Sequence, residues 1–398
     1  VVSFCGDWFL TVALLSLVLD VTGSGFLAAL IVVAQMLPSF ILAPYAGTIV
    51  DRVDRRRLMI AVNVVSAGMA LLPLFARNEA TLIFAFLGVA GISAGLSFFS
   101  PASQAALPNV VHADDLAKAN VLMGSTWGTM LAVGAALGGL ATSAFGRDTA
   151  IIIDSISFVV AALLLWSIKR PFQESTVRPQ VAFIPAMREA ASYARRNPRV
   201  LALLTSKGGF GIGAGVVVLL AVFSEKVFEA GAIGIGILYG ARGVGALLGP
   251  FLIRRVGGSD ARVFSMIGLG GVLYGLGYAL FAVSPWFGLA ALFVLVAHLG
   301  GGAQWTMSSY GLQRLVPDEL RGRIFAADFG LVTLTTSLSS VGAGLLADAI
   351  GPTPTGLIMG LLALAWGVIW TLWTRRLWVQ LPEGEQVRAT EAAAGGRR

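Results

Sequence analysis

The sequence predicts an all-α membrane protein whose twelve transmembrane helices fall into two halves of six. Three observations carry that expectation. First, 57% of the 398 residues are hydrophobic and 12% are charged, against about 25% charged in an ordinary soluble domain. A layered soluble fold of this length has too little interior to hide so much apolar surface, so lipid is the expected solvent. Second, apolar runs of the ~20 residues needed to cross a bilayer recur from one end of the chain to the other. Third, the basic residues fall between those runs in an alternating pattern.

Twelve spans can be placed, at 2–20, 25–49, 58–76, 80–100, 118–144, 149–168, 200–223, 231–252, 262–283, 285–308, 324–347 and 355–374. Most loops between them are short. The exception is 169–199, where Pro171, Pro179 and Pro185 break the first half. The second half, IPAMREAASYARRN, sets Met187, Ala191 and Ala194 on one side and Arg188, Glu189, Arg195 and Arg196 largely elsewhere. This pattern reads as an amphipathic helix in the headgroup layer with Pro185 near its start; a solvated linker is the plainer alternative. The chain thus divides into an N-terminal six-helix unit (1–168), a cytoplasmic linker (169–199), a C-terminal six-helix unit (200–374) and a tail (375–398).

Charge sets the orientation. With a cytoplasmic N-terminus, one side holds 24 of the 28 basic residues, in clusters at Arg52–Arg57, Lys118, Lys169–Lys207, Arg254–Arg262, Arg314–Arg323 and Arg375–Arg398. The other side holds Arg77, Arg147 and Lys226. Basic residues stay on the cytoplasmic side, so an even number of spans and two cytoplasmic termini are expected. The net charge of +7 then points to anionic lipid headgroups rather than nucleic acid, since no basic face is interleaved with aromatic residues. One cysteine, Cys5, and two histidines, His112 and His298, leave almost no ligands for a metal site. No cofactor is expected.

The halves echo each other. LPNVVHADDLAKAN (107–120) follows the fourth span and LQRLVPDELRGRIFA (312–326) follows the tenth; each places an acidic pair before a leucine and a basic residue. Matching halves are a transporter pattern. GTIVDRVDRRR (47–57), after the second span, resembles the loop signature of the major facilitator superfamily, G-x-x-x-D-R-x-G-R-R/K. GDWFLTVALLSLVLDVTGS (6–24), AALP (105–108) and LVPDELRGR resemble the branch of bacterial macrolide-efflux and enterobactin exporters. The resemblance covers essentially the whole chain. It implies the major facilitator fold: two pseudo-symmetric six-helix bundles around a cavity exposed alternately to each side, in a bacterial inner membrane, working as a monomer. It also implies a cytoplasmic gate of Gly47, Asp51, Arg52, Arg55 and Arg56, with Asp328 of the eleventh span pairing with a loop arginine. Asp54 stands where glycine is usual, as a second partner for the arginines or a stiffener of the turn.

Buried charge is the other guide, because an ionisable group inside a bilayer faces a cavity or a partner. Asp7, expected near the cytoplasmic surface, is the first candidate for a proton-linked carboxylate. Arg242, in the middle of the eighth span, is the strongest candidate for an anionic cargo group or a cross-cavity ion pair. Asp154 and His298 are further candidates, each with helix packing as the alternative. Gln35 and Gln304 add polar contacts. Phe98, Phe99, Trp127 and Phe210 could wall a large apolar ligand. Trp366, Trp370, Trp373 and Trp378 read as an interfacial belt.

No G-x-x-x-x-G-K-S/T loop is present, which speaks against ATP hydrolysis. An enzyme would need a convergent catalytic set, and no Ser-His-Asp or metal-ligand spacing supplies one. A receptor or scaffold leaves Asp7 and Arg242 without a reason for burial. The expected activity is export of a small amphiphilic molecule (drug, macrolide or siderophore) in exchange for protons; a lysolipid is the alternative cargo.

Overall fold

Apolar runs that satisfy their own backbone hydrogen bonds can enter lipid only as helices or closed barrels, and this chain forms helices. A computed structural model describes residues 2–50, 53–112, 115–172, 183–257 and 263–377. The first half comprises α1 (Val2–Thr22), α2 (Gly25–Val50), α3 (Arg55–Leu71), α4 (Ile83–Val110), α5 (Leu116–Phe145) and α6 (Arg147–Ser167). A separate helix, α7 (Phe183–Arg196), follows. The second half comprises α8 (Pro198–Gly213), α9 (Gly215–Val222), α10 (Gly231–Gly257), α11 (Val263–Ala282), α12 (Phe287–Leu315), α13 (Asp318–Ile350) and α14 (Pro352–Thr374). Helices α8 and α9 run on as one membrane span, so twelve spans are long and apolar enough to cross a bilayer. We call the side carrying α7 the basic face and the other side the opposite face.

Several helices outrun their apolar cores. Helix α12 continues to Leu315 and α13 starts at Asp318, so the LVPDELRGR stretch is helical but for Val316 and Pro317. Proline cannot continue the preceding helix's hydrogen bonding but is tolerated where a new helix begins. At the start of α3, Asp54 is the N-cap: its carboxylate accepts the Arg57 backbone N–H at 2.7 Å. This cap fastens the turn to α3, in keeping with the stiffening role expected of Asp54; glycine would offer no side-chain acceptor there. Asp51 and Arg52 lie outside the described residues.

Two seams join the halves. On one, α5 packs against α10; on the other, α2 packs against α13. The α5–α10 seam depends on small residues: a Cβ on Gly139 would lie 2.8 Å from the Gly236 Cα. Backbones this close gain dispersion contacts that larger side chains would prevent. Toward the opposite face, one apolar core runs through both halves, from Leu10 and Leu14 of α1 to Val218 of α9 and Tyr278 of α11. Toward the basic face the described cores are separate. One gathers Leu203, Phe264, Met307 and Ile324 in the second half; another gathers Val50, Met59, Ala102 and Phe172 in the first.

Helix α7 packs on protein. Its buried Ala190 and Ala194 join the basic-face core of the second half, with Tyr193 against them. The Tyr193 hydroxyl donates to the Leu315 carbonyl at 3.3 Å, and burial raises its pKa above the ordinary phenol value, so it remains a neutral donor. Glu189 pairs with Arg323 of α13. Alanine, whose small side chain lets a helix dock closely, forms the face of this amphipathic helix that meets the second half.

The tryptophans of α14 differ in part from the expected belt. Trp370 is buried and donates to the Ala202 carbonyl at 2.9 Å, and Trp366 donates to Thr205 at 3.3 Å. Both fasten α14 to α8. Trp373 remains exposed, as a belt residue should be; Trp378 lies outside the described residues.

Candidate functional site

Helix α1 brings Asp7 and Trp8 to the middle of the bundle. A Cβ on Gly134, well inside α5, would sit 3.1 Å from both the Cys5 carbonyl and the Trp8 Cβ. The Trp8 ring meets the Tyr239 ring of α10 with centroids 5.7 Å apart. Asp7 is therefore at mid-depth and not near the basic face. Its Oδ1 is buried, with no hydrogen-bond partner among the described residues. Asp154 of α6 lies alongside: a Cβ on Gly6 would come within 2.5 Å of its Oδ1. Asp154 is fully buried and faces the α1–α6 interface, with Ser157 Oγ donating to it at 3.5 Å. Asp7 and Asp154 thus form an acidic pair inside the first half.

One turn beyond Tyr239, the Arg242 guanidinium lies 5.7 Å from the Tyr239 ring centroid. Its charge bears on Tyr274, Tyr278 and His298. His298 is buried, with its Nε2 2.7 Å from the Tyr278 hydroxyl. Phe210 of α8 joins this set, its ring 4.8 Å from Tyr274 and 5.8 Å from Trp305 between centroids. Arg242 and His298 are brought together as candidates on one aromatic cluster. Gln35 belongs to the first half, donating to Thr11 Oγ1 at 2.7 Å. Gln304 is buried and donates to the Ser206 carbonyl, a packing contact between α12 and α8. Phe99 packs into the basic-face core of the first half. The side chain of Trp127 lies outside the described residues.

The expected gate differs in its partners. Arg56 donates to the carbonyls of Leu165 and Trp166 at the end of α6, where a cation meets the negative end of the helix dipole. Arg55 opens α3 and Gly47 lies near the end of α2. The partner described for Asp328 is not a loop arginine. Asp328 pairs with Lys207 of α8, and their side chains are 5% and 1% exposed. The Lys207 Nζ also donates to Ser309 Oγ at 3.2 Å and lies 4.5 Å from the Trp305 ring centroid. Sequence reasoning counted Lys207 with the basic-face charges. Its place nine residues into α8, about 13 Å along the axis, was the available signal that it is an intramembrane residue.

At the opposite face, beside the shared apolar core, polar contacts between the halves are exposed. Asp348, near the end of α13, accepts from Ser24 Oγ and Gly25 N at 2.7 Å and from Phe26 N at 3.1 Å. These donors sit at the N-terminus of α2, the positive end of its dipole. Lys226 donates to the Gly23 carbonyl. Beside them opens a cavity of about 690 Å³, lined in part by Asp20, Arg77, Arg147, Asp148 and Glu225. Its rim pairs, Arg147–Asp20 at 2.9 Å and Arg77–Asp148 at 2.8 Å, stay within the first half. The hydrogen bond to Asp148 holds the Arg77 guanidinium more firmly protonated.

This arrangement has relatives. Macrolide efflux protein A of Streptococcus pyogenes is 23% identical, over 92% of this chain and 92% of its own. A protein named as a bacilysin exporter, BacE, of Bacillus subtilis (strain 168) is 25% identical, over 90% of this chain and 88% of its own. The Staphyloferrin A transporter of Staphylococcus aureus (strain NCTC 8325 / PS 47) is 23% identical, over 96% of each. Among solved structures, a bacterial homolog of the human lysosomal transporter Spinster superposes with a TM-score of 0.74 at 15% identity, over 94% of each chain; that likeness concerns the fold. Residues 1–392 match the family described as transmembrane secretion effector. The chain is a multi-pass membrane transporter of the major facilitator superfamily and belongs to that family.

Proposed function

We propose that this protein is a secondary active exporter that exchanges protons for a small amphiphilic molecule of the drug, macrolide or siderophore kind. The observation that carries the reading is the meeting of both halves at mid-depth, where Trp8 of α1 packs on Tyr239 of α10, with Arg242 beside that same tyrosine ring and Asp7 next to Trp8 in the chain. A guanidinium among aromatic rings suits a cargo with a large apolar body and a polar group. Burial of a charge at that depth is costly without a functional partner. The acidic pair Asp7–Asp154 supplies a place for the exchanged proton, because two neighbouring carboxylates in low dielectric cannot both remain ionised. Similarity to a macrolide efflux protein and to a protein named as a bacilysin exporter supports the direction of transport. In this reading the basic face is cytoplasmic, both termini lie there, the membrane is the bacterial inner membrane, and anionic lipids contact the basic loops.

Reconstitution into proteoliposomes tests it. A macrolide, a catecholate siderophore and a lysolipid would each be followed with and without an imposed pH gradient. Gradient-dependent movement of the macrolide or the siderophore is expected, with Asp7→Asn abolishing the dependence. Arg242→Ala should stop movement of an anionic cargo and spare a cationic one. Movement of the lysolipid alone, or of nothing under any gradient, would overturn the reading.

A further inference from the structure

The Lys207–Asp328 pair has no part in the mid-depth site. Its chemistry nevertheless singles it out. Both side chains are almost completely buried, on the basic-face side of the second half. Breaking such a pair by removing one partner leaves an uncompensated charge in low dielectric, whereas apolar replacement of both is often neutral. A bilayer protein gains little from keeping such a pair for packing alone.

Three further features surround it. Asp328 Oδ1 has no hydrogen-bond partner among the described residues, so half of the carboxylate's accepting capacity is unused. The Trp305 ring that covers Lys207 is 36% exposed, and its edge meets Phe210, which leads on to Tyr274 and His298. Finally, Lys207 opens the run KGGFGIGAG, at whose end α8 passes into α9 through Ala214, itself right-handed helical at φ −65° and ψ −16°. Ser339 of α13 bonds to that junction, accepting the Gly215 N–H at 2.9 Å and donating to the Ile212 carbonyl. Helix α13 therefore clasps the glycine-rich segment at both ends, through Asp328 and through Ser339.

Resting on the exporter reading above, we propose that Lys207 and Asp328 form the subsite for the charged head of the cargo, and that this head is a zwitterion with an ammonium and a carboxylate, as in an amino acid or short peptide. An anion alone would leave Asp328 facing it unpaired. A cation alone would strand Lys207. A ligand carrying both signs replaces both halves of the pair: its carboxylate takes Lys207 and Ser309 Oγ, and its ammonium takes Asp328. Its apolar body then lies along Trp305 and Phe210.

The same geometry makes proton and cargo exclude each other. A proton arriving from water bonds to a carboxylate oxygen of Asp328, and the neutral acid no longer holds the ammonium. The cargo leaves as the intact zwitterion, with no covalent bond to it made or broken. Among the described residues, these groups lie nearest to Asp328 and its partner. From α8 it is Lys207. From α12, Ser309 and Trp305 face Lys207 and do not titrate. On α13 itself, Arg323 is engaged by Glu189 of α7. From α2, Phe40 packs against Gly330.

The test is binding, not transport, so it stands apart from the export assay. The purified full chain in nanodiscs would be unfolded thermally with alanyl-phenylalanine, its N-acetylated anion and its C-amidated cation. The zwitterion should raise Tm by about 2–5 °C at saturation, and the other two should not. The rise should shrink from pH 7.5 to pH 5. The double variant Lys207→Met with Asp328→Leu keeps the volume without the charges and is expected to fold; in it the rise should vanish. The charge-swapped variant Lys207→Asp with Asp328→Lys restores an ion pair and should still lack high-affinity binding, because Ser309 and Trp305 are placed for a cation at position 207. Equal shifts with all three probes, no shift with any, or a zwitterion shift that survives in the double variant would each overturn the subsite. Gradient-driven export without zwitterion binding would overturn this inference and leave the exporter reading intact.

Discussion

Replacing Asp348 with alanine should open the opposite face. The carboxylate receives three hydrogen bonds from the start of α2, at 2.7, 2.7 and 3.1 Å. All three cross from one half to the other. A buried set of charged hydrogen bonds would be worth several kcal/mol, but Asp348 is exposed. Water takes over most of each bond when the carboxylate leaves. What remains is the loss of a helix cap, about 1 kcal/mol, and of an anion at a helix N-terminus, about 0.3–1 kcal/mol. Together these come to roughly 1–2 kcal/mol, a factor of about 5–30 in the ratio of closed to open states. Spin labels at Phe145→Cys and Val283→Cys, exposed positions at the ends of α5 and α11, would report the separation of the halves, with Cys5→Ser removing the native thiol. The long-distance population should grow by that factor in D348A. In Asp348→Asn, which keeps an acceptor but not the charge, growth should be smaller. An unchanged distance distribution in D348A would show that Asp348 does not hold this face closed.

Two other outcomes follow from packing. Gly236→Leu drives a side chain into the α5–α10 seam, where a Cβ already lies 2.8 Å from Gly139; overpacking of this kind costs about 1–3 kcal/mol. Thermal unfolding should show a clear fall in Tm, and an unchanged Tm would mean the seam can spread at no cost. Ala190→Asp buries a carboxylate where α7 meets the second half, so limited proteolysis should cleave around α7 much faster than in the parent. Glu189→Gln, which breaks only the partly exposed pair with Arg323, should change the rate little, since such pairs are worth about 0–1 kcal/mol.

The spans were legible because one length, set by the hydrocarbon thickness, has to be met twelve times. The grouping into halves was legible because the loops repeat. What escaped was pairing at depth. Lys207 looked like one more basic-face charge, because a count along the chain cannot tell a side chain that reaches the headgroups from one that turns inward to Asp328. Asp7 was misplaced for a related reason: distance from the first residue does not measure distance from the membrane surface, and only Gly134 and Tyr239 fix its level. Trp366 and Trp370 were read from residue type alone, and the carbonyls of Thr205 and Ala202 that receive their N–H groups come from another helix. Arg56 was correctly placed at a helix boundary, but its partners at the end of α6 lie about 110 residues along the chain, a contact no local pattern announces.

The distribution of strong and weak contacts has a consequence for alternating access. The most deeply buried ion pair described, Lys207–Asp328, joins two helices of the same half. The polar contacts that straddle the halves, at Asp348 and Lys226, are exposed to water. A rocking motion must break whatever crosses between the halves and can leave everything within a half intact. Had a pair as buried as Lys207–Asp328 straddled them, breaking it would cost about 3–5 kcal/mol, enough to bias the two states more than about a hundredfold. Exposed polar contacts of about 1–2 kcal/mol add little to the apolar packing that the halves share toward the opposite face, so the polar part of the balance is small enough for differential binding of a proton or cargo to tip. A pair held within one half stays free to respond to cargo, because the rocking itself does not consume it.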